Sequence, residues 1–298
     1  MTDRPELTPL LSNAMLSRLE RLRIVPRGRR ANRSRGEHYA GKGGTSTEFC
    51  DYRDYTPGDD TRFVDWNIFS RLHRPYLKQF HQEQERHVVL LVDASASMRF
   101  EGKLERAKQL AAAFGLMGLL NHERVSVYAS HRAADAPDRL PACRGRASMR
   151  RLFDFIESID GAGDAPLERA VELLLKYHSG KGACVILSDF LTFGDLKRGF
   201  NMLHATGLDP LGIQILGPRE IEPDITGDVR LVDAETQQTL DVSSAGDLIA
   251  LYREYRLGLE DELALMCQRR SGRFTSVNSE EALETVLLDR LRRKGWIE

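Results

Sequence analysis

Apolar positions in this chain alternate between two spacings, and the alternation starts abruptly at His87. Residues 87–92 read His-Val-Val-Leu-Leu-Val, an apolar and largely β-branched run suited to a strand covered on both faces. The pattern then predicts a helix over 103–120, an alternating strand over 124–129 and a helix over 148–159. Residues 166–177 are helical, with Pro166 at a first-turn position where no amide donor is needed. Residues 183–188 (Ala-Cys-Val-Ile-Leu-Ser) form another buried strand, followed by a helix over 195–205 and a strand over 211–216. Strands regularly separated by helices predict an α/β fold, with a mainly parallel sheet, right-handed crossovers and helices on both faces.

The flanks break this rhythm. Residues 229–242 hold two apolar segments around a polar turn, which reads as a β-hairpin insertion. Helices are expected over 245–269, a last strand over 273–277, and a helix from Ser279, as N-cap, to Lys294. Near the start, Leu11, Met15, Leu19 and Leu22 are helically spaced within residues 7–25. An arginine-rich connector to Arg35 follows, then a loop punctuated by Gly36, Gly41, Gly43 and Gly44. Between Phe49 and Gln84, strand-like aromatic segments flank the turn signal Pro57-Gly58. The expected organisation is a basic helix and connector over 1–35, a β-containing segment over 36–86, and an α/β domain over 87–298.

Composition narrows the function classes. A chain of 298 residues, 41% hydrophobic and 29% charged, has the material for one large core with a smaller appended unit. Its net charge of -1 gives the whole molecule no electrostatic reason to seek nucleic acid or an anionic membrane. Arginines outnumber acids before Gly36, which reads as a solvated arm because no aromatic residue is interleaved with them. Cys50, Cys143, Cys184 and Cys267 are too far apart for a zinc knuckle or redox pair, and Cys184 reads as a small core residue. This usage, with no apolar run of about 20 residues and no signal-peptide core, leads us to expect a cytoplasmic protein without a membrane span. The longest apolar stretch, 110–120, belongs to a longer amphipathic helix.

The candidate chemistry lies at two strand ends. Asp93-Ala94-Ser95-Ala96-Ser97 follows the first buried strand, and Asp189 follows the strand over 183–188. Ligands of parallel sheets gather outside the carboxyl ends of strands. A carboxylate with hydroxyls two and four positions on can wrap hard oxygens around a small cation, and a second carboxylate on the same rim makes a dication more welcome. The alternative is that Asp93 and Asp189 cap loops and accept backbone amides. Asp93, Ser95, Ser97 and Asp189 resemble the metal-ion-dependent adhesion site of von Willebrand factor A domains, a Rossmann-like fold. That resemblance implies Mg2+ or Mn2+, and a partner carboxylate completing the coordination. In the resembled site an intervening loop adds a threonine; here the corresponding position is Ala165, beside Asp164 as a substitute donor.

A longer pattern is more specific. Residues 53–66, Arg-Asp-Tyr-Thr-Pro-Gly-Asp-Asp-Thr-Arg-Phe-Val-Asp-Trp, together with Lys78-Gln79-Phe80, Glu83, residues 231–236 and Tyr252, closely resemble the bacterial family called domain of unknown function 58. The resemblance runs from about Gly36 to the C-terminus. It implies a non-enzymatic adaptor or co-chaperone acting with a MoxR-type AAA+ ATPase on a client protein. In this segment Arg53, Arg62, Asp59, Asp60 and Asp65 are expected to brace the turn, and Trp66 to anchor a core. A metal-independent interaction scaffold is the second reading, and a metal-dependent phosphotransferase or hydrolase the third. The third is poorly supplied. Ser95 stands where a phosphotransferase needs its second carboxylate, neither serine sits in a nucleophile elbow, and Gly36 to Gly43 lacks the hydroxyl of a phosphate-binding loop. No catalytic residue is assigned.

Overall fold

The computed structural model describes residues 7–25, 49–80, 85–130, 138–161, 166–191, 195–223, 229–232, 239–242 and 245–298. In chain order its elements are α1 (Asn13–Leu19), β1 (Phe49–Asp54), α2 (Trp66–Leu72), β2 (Tyr76–Phe80), β3 (His87–Asp93), α3 (Lys103–Leu120), β4 (Arg124–Ser130), β5 (Asp138–Cys143), α4 (Met149–Ser158), α5 (Leu167–Tyr177), β6 (Gly182–Ser188), α6 (Leu196–Ala205), β7 (Leu208–Leu216), α7 (Pro218–Ile221), β8 (Val229–Val232), β9 (Thr239–Val242), α8 (Ala245–Gln268) and β10 (Arg273–Asn278). They divide into two compact units, Arg30–Glu85 on one hand and Met1–Arg29 with Arg86–Glu298 on the other. The near phosphate-binding loop and most of the arginine-rich connector lie outside the described residues.

In the small unit β1 and β2 pair antiparallel, and an isolated bridge joins the buried Val64 and Leu77. The turn between the strands is braced as its charges suggest. Arg53 donates to both oxygens of Asp59 at 2.8 and 2.6 Å, and the hydroxyl and amide of Thr56 donate to the same carboxylate. Those donors hold the Asp59 carboxyl well below the usual carboxylate range. Asp65 caps α2 by accepting from the amides of Asn67 and Ile68. Trp66 is a correction. It is 61% exposed, set edge-on to Phe69 with centroids 5.9 Å apart. The sequence shows an aromatic among turn residues but not that it opens a short helix whose face, with Phe69 and Leu72, points outward.

The large unit is built on a six-stranded sheet in the order β10-β7-β6-β3-β4-β5. The first five strands are parallel neighbours, and β5 pairs antiparallel with β4 at the edge. The edge strand β5 is not legible in the helix-strand rhythm, since its six residues alternate only weakly and bury chiefly Leu140. The sheet is covered on both faces. Val88, Leu90 and Val92 of β3 point into a core with α1, α3, α4 and the segment Thr285–Leu291, whereas Val89 and Leu91 point into a second core with α5, α6 and α8. This explains why β3 is a continuous apolar run. The hairpin of β8 and β9 stands apart as a two-stranded sheet.

Three expectations are modified. The first helix is confined to Asn13–Leu19, and the chain beyond it pairs with the C-terminal residues: the Val25 amide donates to Trp296 O at 2.8 Å and Glu298 to Arg23 O at 3.0 Å. The helix α3 is buried nearly all round rather than amphipathic. It runs between sheet and helices closely enough that a Cβ on Gly118 would fall 2.7 Å from Val125 Cγ2, and one on Gly115 would fall 2.7 Å from Leu152 Cδ2. Finally, Ser279 does not cap the last helix. Its hydroxyl donates to Glu101 O at 2.6 Å, and the segment Thr285–Leu291 is wound as a π-helix.

Two glycines of this unit should behave oppositely. Gly118→Val should cost about 1–3 kcal/mol by overpacking α3 against β3 and β4, whereas Gly258→Ala, at an exposed position of α8 with nothing within 4 Å, should stabilise by about 0.5–1 kcal/mol. Urea unfolding of both variants checks this. Glu123, in the turn after α3, has a half-buried carboxyl raised by burial to about 7 against the pull of Arg86. Its folded value exceeds its unfolded one, so its contribution is complete below pH about 4.5 and is lost as pH rises through about 7. Glu123→Gln should therefore unfold like the parent near pH 4 and become more stable than it by up to about 3 kcal/mol near pH 8. Thermal unfolding across that range gives the comparison.

Candidate functional site

The parallel sheet brings its strand ends to one rim. β3 and β6 are neighbours in register, with Val92 beside Leu187, so Asp93 and Asp189 emerge from adjacent strands. Both are buried. Asp93 Oδ1 accepts the Ser95 amide at 3.0 Å, and Oδ2 accepts the Ser188 hydroxyl at 2.6 Å. Asp189 Oδ1 accepts the Leu191 amide at 3.0 Å. Burial and the Asp189 charge push the Asp93 carboxyl up, against the hydrogen bonds from Ser188 and Ser95. Ser95 and Ser97 share a hydrogen bond of 3.0 Å between their hydroxyl oxygens. Asp164 and Ala165 lie outside the described residues.

Lys103, which the sequence presents only as the start of a helix, dominates this rim. Its ammonium donates to Asp189 Oδ2 at 2.8 Å and to Glu220 Oε1 at 2.6 Å, and its side chain is 0% exposed. Burial pulls the lysine pKa down, yet the Asp189 and Glu220 carboxylates outweigh it and hold the group above its ordinary value. Glu220 reaches in from α7; burial raises its carboxyl against the Lys103 charge, and its Oε2 accepts the Gly217 amide at 2.8 Å. Tyr252, noted within the family pattern, donates its hydroxyl to Glu220 O at 2.8 Å. A signal for Lys103 existed in the sequence. A cation in the first turn of an apolar helix opposes the helix dipole and needs a carboxylate partner.

Backbone geometry fixes these groups. Phe190 adopts φ 56, a left-handed conformation unusual for a bulky residue, and is buried between Phe200 and Phe274. Its amide donates to the Ser188 hydroxyl at 2.9 Å, and Gln214 of β7 donates to Asp189 O at 2.9 Å. Glu101 is also left-handed, at φ 46, and accepts the Arg219 amide at 2.9 Å. The loops after β3, β6, β7 and β10 are thus tied together across the rim. Around them Phe100 is 44% exposed, Arg99 is exposed with its stem against Gly161, and the Arg219 side chain is 78% exposed.

Does this donor set suit a directly bound divalent ion? All four oxygens of Asp93 and Asp189 already accept a hydrogen bond, one of them from an ammonium. Among the described residues no group of three or more His, Cys, Asp or Glu side chains is arranged to hold a metal. With the Lys103 ammonium on Asp189 Oδ2, the described residues present no free pair of carboxylates to such an ion, and the chemistry on view is closure of buried charge beneath an exposed polar and aromatic edge.

A family model described as "Protein of unknown function DUF58" matches residues 51–262. Curated relatives include uncharacterized proteins of Mycobacterium tuberculosis and Mycobacterium bovis, each 31% identical over an alignment 210 residues long that covers 67% of this chain and 65% of theirs. The chain thus spans about two thirds of the length of those relatives. Among solved structures, the conserved hypothetical protein BatB from Bacteroides thetaiotaomicron is 14% identical with a TM-score of 0.45, covering 70% of this chain and 98% of its own. The pilus adhesin SpaC from Lactobacillus rhamnosus GG is 13% identical with a TM-score of 0.46, covering 73% of this chain and 31% of its own. No helix among the described residues is long and apolar enough to cross a membrane.

Lys103→Met should leave Asp189 and Glu220 buried beside no counter-charge and cost about 3–5 kcal/mol. Combining it with Asp189→Asn and Glu220→Gln should return most of that loss, because the isolated charges are then gone. Equilibrium unfolding of the single and triple variants measures the difference, and an unchanged single variant would refute the pairing.

Proposed function

The chain belongs to the family described as protein of unknown function DUF58, and from that premise we propose that it is a non-enzymatic adaptor that binds a partner protein at the strand-end rim of its large unit. The observation that carries this reading is the closed arrangement of buried charge. Asp93, Asp189 and Lys103 are satisfied by one another and by neighbouring groups, and the Ser188 hydroxyl that donates to Asp93 is itself buried. What faces outward includes Phe100, an aromatic anchor, with the exposed Arg99 next to it in the chain and the exposed Arg219, whose Nε lies 3.4 Å from Glu101 Oε1. Such an edge suits an acidic surface bearing an apolar pocket.

We read the large unit as von Willebrand factor A-like, on the Asp93, Ser95, Ser97 and Asp189 pattern and the mainly parallel sheet with helices on both faces. The partner in this reading is a MoxR-type AAA+ ATPase, on the strength of the residue pattern over 53–66, with a client protein as third participant. A cytoplasmic location belongs to the same reading. Docking is metal-independent here, because the donor set does not suit a directly bound ion.

Titration calorimetry with a purified MoxR-type ATPase from the same genome tests this. Chelator should leave the affinity unchanged, and Phe100→Ala should weaken it by about 30-fold, equivalent to about 2 kcal/mol at an interface anchor. Loss of binding on chelation would replace this reading by the metal-dependent one. Nucleotide hydrolysis by the chain alone would replace it by an enzymatic one.

A further inference from the structure

We infer that the Lys103 ammonium is a built-in cation that takes the place of a divalent ion at the Asp93 and Asp189 rim, so that the rim carries a latent metal site which the side chain itself closes. The pattern Asp93-x-Ser95-x-Ser97 with Asp189 supplies oxygens of the kind a hard dication takes, and the sheet delivers them to one place. This chain adds a third carboxylate, Glu220, and a lysine that reaches both Asp189 and Glu220. Its distances of 2.8 and 2.6 Å are those of charge-assisted hydrogen bonds.

Three features separate this from an ordinary ion pair. The ammonium is completely buried, where a lone charge is costly, and it sits at the first residue of α3, where the helix dipole is unfavourable to a cation. It therefore stays only because carboxylates face it. One of those carboxylates, Asp189, belongs to the metal pattern itself, so a dication brought to Asp189 meets a positive charge already within hydrogen-bond distance. Around the ion pair the two motif serines bond each other, and Ser188 donates to Asp93. Removing the ammonium frees an oxygen on each of two carboxylates.

Manganese titration, read by loss of the free-ion electron paramagnetic resonance signal, tests the inference on the full chain. The parent protein should take up no ion at millimolar Mn2+. Lys103→Ala should bind one equivalent, and adding Asp189→Asn should abolish it. Mn2+ should also raise the thermal midpoint of Lys103→Ala by several degrees and leave that of the parent unmoved. Uptake of one ion by the parent, lost in Asp189→Asn, would overturn the inference, as would a folded Lys103→Ala that binds none. Lys103→Gln, which keeps much of the side-chain volume and a donor, is titrated beside it so that poor folding of the alanine variant does not decide the outcome. Ion uptake is read without any partner, so these results stand apart from those of the ATPase titration.

Discussion

The buried contact of Lys103 with Asp189 and Glu220 is the constraint on which the rim of this protein depends. It joins the first residue of the central helix, the end of a central strand and the short helix after the next strand. Each of these charges alone is expensive to remove from water, and together they are tolerable only in one geometry. Secondary contacts supply that geometry. Gly217 and Tyr252 hold Glu220, Gln214 and Leu191 hold Asp189, and two left-handed residues, Glu101 and Phe190, turn the chain so that these groups meet. An error in any one loop leaves a buried charge unanswered.

The consequence is a separation of roles. The acidic pattern that draws attention in the sequence is turned inward and spent on holding loops, while the outward surface is made by residues without any motif: Arg99, Phe100 and Arg219. The rim thus carries hydrogen-bonded, buried charge beneath and exposed polar and aromatic side chains above. In the small unit the same division appears on a lesser scale. Arg53 and Asp59 fix the turn, and Trp66, Phe69 and Leu72 are left exposed.

The physical source of the fold's legibility is periodicity. The buried strands β3 and β6 are continuous apolar runs because both faces are covered, and α3, α5 and α6 are bounded within a residue or so by their own patterns. Strands too short or too weakly patterned escaped, as β5 did at the edge. The exposure of Trp66 is illegible for a related reason: aromatic character alone says nothing about which way a short helix faces.

The sequence by itself determined the alternation of strands and helices, hence a mainly parallel sheet, and through it the placement of Asp93 and Asp189 at strand ends. It also determined the family, by a long irregular pattern that no periodicity explains. Only the tertiary structure decided what those carboxylates face. Lys103 lies 86 residues from Asp189 and Glu220 lies 117 from Lys103, so no local spacing links them. Their meeting is set by strand order and helix packing, which convert residues remote in the chain into neighbours and give Asp189 and Glu220 a buried cation in common.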